Sequence, residues 1–330
     1  MSVNRRTALR GTAAAFVLPP SLWSTQAQAQ NLVESLKIVT GFAAGGTSDT
    51  VCRRAADGLR GVYAKSTLVE NKTGAGGQIA IQSMKQSPAD GSVLLQTPAS
   101  MLTIYPHIYR KLQYDPVKDL VPVSTACLFE FGFAVGLLVP AAVKSMPEFL
   151  AWAKANPEHA TFGSPAAGST PHFTAEMLSR AGGANLRHAP YRGTQPAVLD
   201  LIGGQIAGVS GPIGDFMPHL PAGKIRLLGV SGSKRSRFVP EVPTFVEQGL
   251  KDVVTDEWFA FYLPAGTPPD VAARLNAAVR TVLAKPEVVE ALAAMGLEAK
   301  ASSAAELADM QKRDTAHWAP IVKAVGFTAD

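Results

Sequence analysis

The residues of this 330-residue chain that could do chemistry are concentrated in loops rich in glycine and hydroxyl side chains. Four such loops occur, at 42–49 (FAAGGTSD), 73–77 (TGAGG), 96–100 (QTPAS) and 163–170 (GSPAAGST). Each offers free backbone N–H groups at a predicted helix start, where an anion is readily bound. One such loop is more often just a turn, but four in matching positions predict one shared anion site.

The spacing of these glycines does not fit a nucleotide phosphate. The pattern G-x-G-x-x-G is absent because Gly74 and Gly76 lack a third glycine at the required offset, and no segment has the Gly-Lys-Ser/Thr end of a P-loop. The six histidines and two cysteines also show no metal-ligand spacing. We therefore expect no cofactor and no metal site.

Nucleophilic catalysis is the alternative that the residues leave open. Segments 208–212 (GVSGP) and 229–233 (GVSGS) each lack the final glycine of a nucleophile elbow. His172 lies just inside a predicted helix after a hydroxyl-rich loop, where it either faces a ligand or serves in capping or packing. A hydrolase of small esters or amides would need His172 beside Ser164 or Ser169, with an acidic residue to orient it.

The N-terminal segment is predicted to be a signal peptide and not part of the fold. Residues 4–10 form a basic head with paired arginines, 11–18 are a short apolar run, and 27–29 (AQA) is a small-x-small cleavage site. The arginine pair favours the twin-arginine export route, whereas Ala8, in place of a frequent phenylalanine, leaves the ordinary secretory route open. We expect cleavage near Ala29 and a soluble periplasmic protein.

The composition is that of a globular protein, with 47% hydrophobic and 17% charged residues. The formal net charge is +5, and the arginines of the N-terminal segment contribute much of it. The excess of basic residues is therefore a poor argument for a nucleic-acid partner, and none is expected.

Two cysteines, Cys52 and Cys127, fall inside apolar patterns of a predicted helix and a predicted strand. In an oxidising compartment they could form a disulfide bond. Two buried free thiols are an equally good interpretation of the same pattern.

Beyond the N-terminal segment, apolar strand-like runs alternate with amphipathic helical runs. Residues 36–97 read as β-α-β-α-β, and the block from 145 to 231 repeats the alternation. The C-terminal third is helical, and its apolar stripes need a sheet to cover, so we place it back on the first block. The order predicts an α/β protein of two domains, each a mainly parallel sheet flanked by helices.

The chain should cross between the domains twice, near 130–136 and near 253–261. The predicted divisions are a signal peptide (1–29), domain I (30–132 plus 254–330) and domain II (133–253). Two domains joined by two crossings form a hinged clam, with a ligand cleft between the strand ends.

The loops, taken together, resemble one family. The matching segments, in chain order, are GFAAGGTSD, VENKTGAGG, DGSVLLQTPAS, YRKLQYDPVKDLVPV, FGSPAAGSTPH, HAPYRGTQPAVLDLIGGQI, LPAGKIRLLGVSGSKRS, VPTFVEQGL and LPAGTPPDVAARLNAAV. Their order and spacing resemble the Bug family, the periplasmic substrate-binding receptors of tripartite tricarboxylate transporters. The resemblance covers the chain from about Leu36 to Phe327.

The resemblance implies a type II-like periplasmic-binding-protein clam that captures a small organic acid and performs no catalysis. The carboxylate would be held by backbone N–H groups, hydroxyls and ordered waters, and not by an arginine fork. The implied partners are integral membrane transporter subunits or a sensor protein, and the receptor itself is expected to be a monomer.

The resemblance also implies which residues bind the ligand. One wall would consist of Phe42, Gly45, Gly46, Thr47 and Asp49, extended by Gly74, Ala75, Gly76, Thr97 and Ser100. The opposing wall would consist of Ser164, Gly168, Ser169, Thr170 and His172, with Tyr191 and Arg192 below it.

Two departures from the family pattern bear on the ligand. Ala43 and Ala44 replace a proline pair, so the first loop is expected to be less rigid. Residues 210–212 (SGP) replace a Phe-Asp-Asn stretch, so an acidic residue that in some members discriminates amino-group ligands is missing. We therefore expect a ligand without an ammonium group, and a cleft that Gly211 enlarges on that side.

Overall fold

The computed structural model describes residues 32–329 of the chain. The predicted signal peptide lies outside these residues. Within residues 32–329, no helix is both long and apolar enough to cross a membrane.

Parallel strands connected by helices form the first part of the fold. β1 (Val33–Thr40) pairs in parallel with β2 (Ala64–Asn71) and with β3 (Val93–Pro98). The helices that follow these strands are α1 (Thr47–Leu59), α2 (Gln78–Met84), α3 (Ser100–Thr103) and α4 (Tyr105–Ile108). The chain then enters β4 (Leu120–Val135), a strand of 16 residues.

A second set of parallel strands lies in the middle of the chain. β5 (Thr161–Ser164) pairs in parallel with β6 (Arg187–Pro190) and with β7 (Gly208–Pro212). The helices of this part are α5 (Met146–Ala155), α6 (Thr170–Ala181), α7 (Thr194–Ile202) and α8 (Ile213–Phe216).

The long strand β4 joins the two sets. Its residues 120–130 pair antiparallel with β9 (Asp256–Pro264), which also pairs antiparallel with β3. Its residues 131–135 pair antiparallel with β7 on one side and with β8 (Arg226–Val230) on the other. The α/β fold with flanking helices is confirmed, but the sheet is mixed because β9 runs against the first set of parallel strands and β4 runs against the second.

The predicted crossings near 130–136 and 253–261 fall in β4 and at the beginning of β9. The domain boundaries themselves stay a prediction.

The C-terminal helices pack on the first strands. They are α9 (Pro269–Leu283), α10 (Pro286–Ala293) and α11 (Ala304–Val325), with the two-residue strand β10 (Glu298–Ala299) between the last two. Leu275 and Val279 of α9 share a buried core with Leu36 and Ile38 of β1. The first block has too few helices to cover its sheet, and these later helices supply the missing apolar surface.

The short patterns 145–148 (SMPE) and 303–306 (SAAE) indicate capping boxes, and both are present at the starts of α5 and α11. Ser145 accepts a hydrogen bond from the backbone N–H of Glu148 at the start of α5, and Ser303 does the same for Glu306 at the start of α11. Each glutamate reaches back to the backbone N–H of its serine, so two otherwise unpaired donors are satisfied at each helix start.

Cys52 and Cys127 are free, fully buried thiols in the same apolar core. Burial raises the pKa of both thiols. The cysteines therefore act as small apolar side chains in this fold.

A close contact between α1 and α9 allows the packing of the C-terminal helices to be tested. A Cβ at Gly58 would lie 2.2 Å from Cγ1 of Val282. We expect Gly58→Ala to lower the free energy of unfolding by about 1–3 kcal/mol through overpacking, as measured by urea denaturation. Arg54→Ala, an exposed change on the same helix, is the control.

The double variant Gly58→Ala/Val282→Ala should be less destabilised than the sum of the two single variants, because the removed methyl groups make room for the added one. A wild-type urea midpoint for Gly58→Ala would contradict this packing.

Candidate functional site

The site begins at the loop before α1. Gly46 is the N-cap of α1 and offers no side-chain cap, so the first backbone N–H groups of the helix depend on other partners. Asp49 shapes this loop. Its carboxylate accepts hydrogen bonds from the Gly45 N–H at 3.0 Å, from Arg53 Nε at 2.8 Å and from Asn71 Nδ2 at 3.0 Å. Burial alone would raise the pKa of Asp49, but these bonds hold it below its usual value.

A cavity with about 500 Å³ of empty space, part of which is open to solvent, lies beside this loop. Five of the predicted ligand-binding residues line it, namely Phe42, Gly46, Thr47, Ser100 and Ser169. The other lining residues are Ala43, Ser48, Pro98, Phe129, Phe131, Pro165, Pro171, Gly193, Thr194, Gln195, Pro212, Asp215, Glu257 and Phe259. The loops at 42–49, 96–100 and 163–170 thus meet at one place, as their topological positions predict.

A second cavity of about 330 Å³ holds another part of the predicted set. Its lining includes Phe42, Gly74, Ala75, Gly76, Tyr191 and Arg192. The remaining predicted residues line neither cavity; they are Gly45, Asp49, Thr97, Ser164, Gly168, Thr170, His172 and Gly211. Their contact with a ligand stays a prediction.

Side chains pack closely against some of these loops. Gly211 has no room for a side chain, because a Cβ there would lie 2.5 Å from Cγ2 of Thr194. The space that was expected to enlarge the cleft is therefore occupied by Thr194. The Tyr105 hydroxyl donates toward the Gly76 carbonyl at 2.9 Å and the Ala167 carbonyl at 3.2 Å, which ties two of the glycine loops together.

An aromatic wall was not foreseen from the sequence. Phe129 and Phe131 of β4 and Phe259 of β9 line the cavity together with Phe42. The ring centroids of Phe129 and Phe259 are 4.4 Å apart, and those of Phe129 and Phe131 are 5.5 Å apart. The alternating phenylalanines of FEFGF, at 129, 131 and 133, were the available signal, but strand residues of this type also fill cores.

Asp215 is the most important residue that the sequence reading missed. It is buried, and its Oδ1 accepts hydrogen bonds from the Thr47 N–H at 2.9 Å and from Gln195 Nε2 at 3.3 Å. Burial raises the pKa of this carboxyl, while hydrogen bonds from Thr194 and Thr47 oppose the shift. The expectation of a ligand without an ammonium group rests on the lack of an acidic residue at 210–212, but Asp215, three residues later, brings a carboxyl group to the cavity.

The backbone holds Asp215 in place. A Cβ at the preceding Gly214 would lie only 1.7 Å from the carbonyl oxygen of Met295. The short helix α8 is therefore in direct backbone contact with the turn after α10, and only glycine allows this approach.

Glu257 is the second carboxyl group at the cavity. It lies on β9, and its Oε1 accepts a hydrogen bond from the Ser100 N–H at 2.6 Å. Burial raises the pKa of Glu257 from its ordinary value of 4.5 to about 7, although the bond from Ser100 N–H opposes the shift. The hydroxyl of Ser100 is buried at the cavity and interacts with the same carboxyl group.

The histidines do not form the catalytic arrangement that the alternative requires. Ser164 Oγ lies 2.7 Å from Nε2 of His188, not beside His172, and it donates its one hydrogen to the Ala166 carbonyl at 3.0 Å. When the Ser164 hydroxyl donates to the Ala166 carbonyl, His188 donates to Ser164 and does not accept its proton. Burial, with the neighbouring His172, also lowers the pKa of His188 to about 3, far from that of an effective base.

His172 has a supporting role in this structure. Its Nδ1 accepts a hydrogen bond from the Gly168 N–H at 3.0 Å, and its ring stacks on His188 with centroids 3.9 Å apart. Of the two readings that the sequence left open, the contacts of His172 favour capping and packing.

Comparison with known proteins gives a consistent result. The family model described as "Tripartite tricarboxylate transporter family receptor" matches residues 51–327. The chain is 35% identical to the "UPF0065 protein in gbd 5'region" of Cupriavidus necator, over 87% of this chain and 86% of that protein. It is 30% identical to protein BugT of Bordetella pertussis, over 88% of this chain and 89% of BugT.

Solved structures of similar proteins share the fold. The periplasmic binding protein BugD superposes with a TM-score of 0.84 at 27% identity, covering 89% of this chain and 98% of BugD. MatC from Rhodopseudomonas palustris, solved with malate, has a TM-score of 0.81 at 27% identity, over 88% of this chain and 99% of that one. An R. palustris protein solved with adipate has a TM-score of 0.85, also at 27% identity, over 93% and 99%.

The raised pKa of Glu257 predicts a pH-dependent stability. Below about pH 4.5 the carboxyl is neutral in both the folded and unfolded states, so it does not reduce the free energy of unfolding. As the pH rises toward 7, the unfolded state ionises first, and folding loses on the order of 3 kcal/mol from this group. Glu257→Gln removes this loss and keeps an oxygen for the Ser100 N–H. Urea denaturation between about pH 4 and 8 should show the variant gaining stability over wild type as the pH rises. A difference that is constant with pH would contradict the raised pKa.

Proposed function

This chain belongs to the tripartite tricarboxylate transporter receptor family, and we propose that it captures a small organic carboxylate in the 500 Å³ cavity, for uptake or sensing. The family is one of solute-binding receptors, which do not catalyse a reaction. The observation that carries the proposal is the start of α6. Its N-cap Ser169 makes no side-chain cap bond and lines the cavity with Pro171, so an uncapped helix N-terminus is offered to an anion there.

Capture is proposed to proceed by closure of the predicted domain I on the predicted domain II. Thr47 and Ser100 belong to predicted domain I, whereas Ser169 and Gln195 belong to predicted domain II. All four residues line one cavity. A ligand that contacts both domains favours the closed state by the difference of its affinities for the closed and open states.

We propose that Phe42, Gly46, Thr47, Ser100 and Ser169 contact the ligand directly. The other residues implied by the family resemblance are proposed to shape the loops. Asp49 does so through its bonds to Gly45 and Arg53, and His172 through its bond to Gly168.

The proposed location is the periplasm, after export and cleavage near Ala29. Malate and adipate are the acids named for the two R. palustris structures, and acids of this kind define the first compounds to test here. The proposed partners are integral membrane subunits of a transporter or a sensor protein, with the receptor acting as a monomer.

A thermal-shift screen of small mono- and dicarboxylates tests the function. At least one acid should raise the melting temperature, because a ligand that binds only the native state stabilises it. Gly46→Leu should abolish the shift. A Cβ at Gly46 would lie 3.5 Å from Oδ1 of Asp215, without strain at this backbone, so the longer side chain fills the cavity.

The matched control is Lys285→Leu, which puts the same side chain at the N-cap of α10, outside the cavity. It should keep the shift. The proposal fails if no acid stabilises the wild type. It also fails if the protein hydrolyses small esters or amides and Ser164→Ala removes that activity.

Export provides a separate prediction. Mass spectrometry of the periplasmic fraction should give a mature protein that begins at Gln30, and replacement of Arg5 and Arg6 by lysine should block export by the twin-arginine route. Normal export of the lysine variant would point to the ordinary secretory route. Retention of residues 1–29 on the exported protein would contradict the cleavage.

A further inference from the structure

The charge of the cavity is unusual for a site that takes an acid. Among the described residues that line it, the charged side chains are Asp215 and Glu257, and none is a lysine, arginine or histidine. The hydrogen bonds to Asp215 come from neutral donors of Thr47, Thr194 and Gln195, and no salt bridge is formed with it in the described part of the chain. A buried carboxylate without a cation is costly, so a positive group in the cavity would stabilise it.

The backbone donors that a second ligand carboxylate would use are already engaged. The Thr47 N–H at the start of α1 donates to Asp215, and the Ser100 N–H donates to Glu257. A dicarboxylate would have to place one of its anionic ends next to these internal carboxyl groups, and like charges at such distances repel. At the start of α6 the N-cap Ser169 makes no side-chain cap bond, so this helix start can take one anionic group, although the neighbouring Thr170 side chain bonds to Glu257.

The remaining walls favour an apolar body and a cation. Phe42, Phe129, Phe131 and Phe259 present aromatic rings to the cavity, and the face of an aromatic ring attracts an ammonium group.

We propose that the ligand carries a protonated nitrogen as well as its carboxylate, joined by an apolar chain or ring, and that the nitrogen binds on the side of Asp215. This inference rests on the proposed function for the carboxylate end, which lies at the start of α6. The ligand class is therefore that of ω-amino acids or of aromatic acids with an aminomethyl group. The raised pKa of Asp215, caused by burial, is what a carboxyl group with no cation beside it should show.

The test compares matched pairs in which an ammonium replaces one carboxylate at equal length. The pairs are succinate and 4-aminobutanoate, adipate and 6-aminohexanoate, and terephthalate and 4-(aminomethyl)benzoate. Isothermal titration calorimetry on the mature wild-type protein should give a Kd at least about tenfold lower for the amino member of the best-binding pair, a difference of about 1.4 kcal/mol. Equal or tighter binding of the dicarboxylate overturns the proposal, as does a lack of binding by all three amino members at about 10 mM.

Variants test which side chain binds the protonated nitrogen of the ligand. Asp215→Asn keeps an oxygen for the Thr47 N–H but removes the charge, and it should reduce the preference for the amino member by about tenfold or more. Asp215→Ser should reduce the same preference, and it serves if Asp215→Asn does not fold. Asp57→Asn, an exposed change on α1, is the matched control and should leave the preference unchanged.

Two outcomes separate this inference from the proposed function. If Asp215→Asn strengthens adipate binding without weakening 6-aminohexanoate, Asp215 only blocks a carboxylate site; the inference fails and the function stands. If 1,6-diaminohexane binds while no acid and no amino acid does, the nitrogen site stands but the proposed carboxylate receptor fails.

Discussion

The structure depends on one strand that belongs to both halves of the sheet. Residues 120–130 of β4 pair with β9, and residues 131–135 pair with β7 and β8. Phe129 and Phe131, at the change of partners, line the cavity. The place where the chain passes between the predicted domains is therefore also the floor of the proposed site. Rotation of one half against the other must pass through the backbone that carries this aromatic wall.

The cavity combines a fold that suits anions with side chains that are themselves anionic. The loop and helix starts supply N–H groups, as expected at the carboxyl ends of parallel strands. Two of those N–H groups are used internally, by Asp215 and Glu257. The scaffold thus determines where charged groups are bound, whereas a few side chains determine which charge a ligand has to bring.

The sequence predicted local structure well because its signals are local. The capping boxes at Ser145 and Ser303, the strand–loop–helix order and the return of the C-terminal helices all follow from short patterns. The glycine loops could be placed at one edge of the sheet because parallel topology brings strand ends together. The antiparallel pairing of β4 with β9 could not be foreseen, since its partners are more than a hundred residues apart along the chain.

The missed site residues have the same explanation. Glu257 lies in the interior of a strand, and Asp215 lies in a four-residue helix after β7, in a segment without a motif. Each carboxyl group is important because of a hydrogen bond from a residue that is distant in sequence. Glu257 accepts from the Ser100 N–H, and Asp215 accepts from the Thr47 N–H. His172 shows the opposite case, since its position after a hydroxyl-rich loop suggested a ligand contact while its ring nitrogen supports the loop itself.

The tight contact between Gly214 and the Met295 carbonyl has an evolutionary consequence. It fixes the backbone of α8 through a neighbour that has no part in ligand recognition, so the side chain at 215 can change without moving the helix that carries it. A single codon change there would alter the charge that the cavity presents while the fold stays intact. A solute-binding receptor built in this way could change its ligand by a point mutation, with no change in the backbone that carries the site.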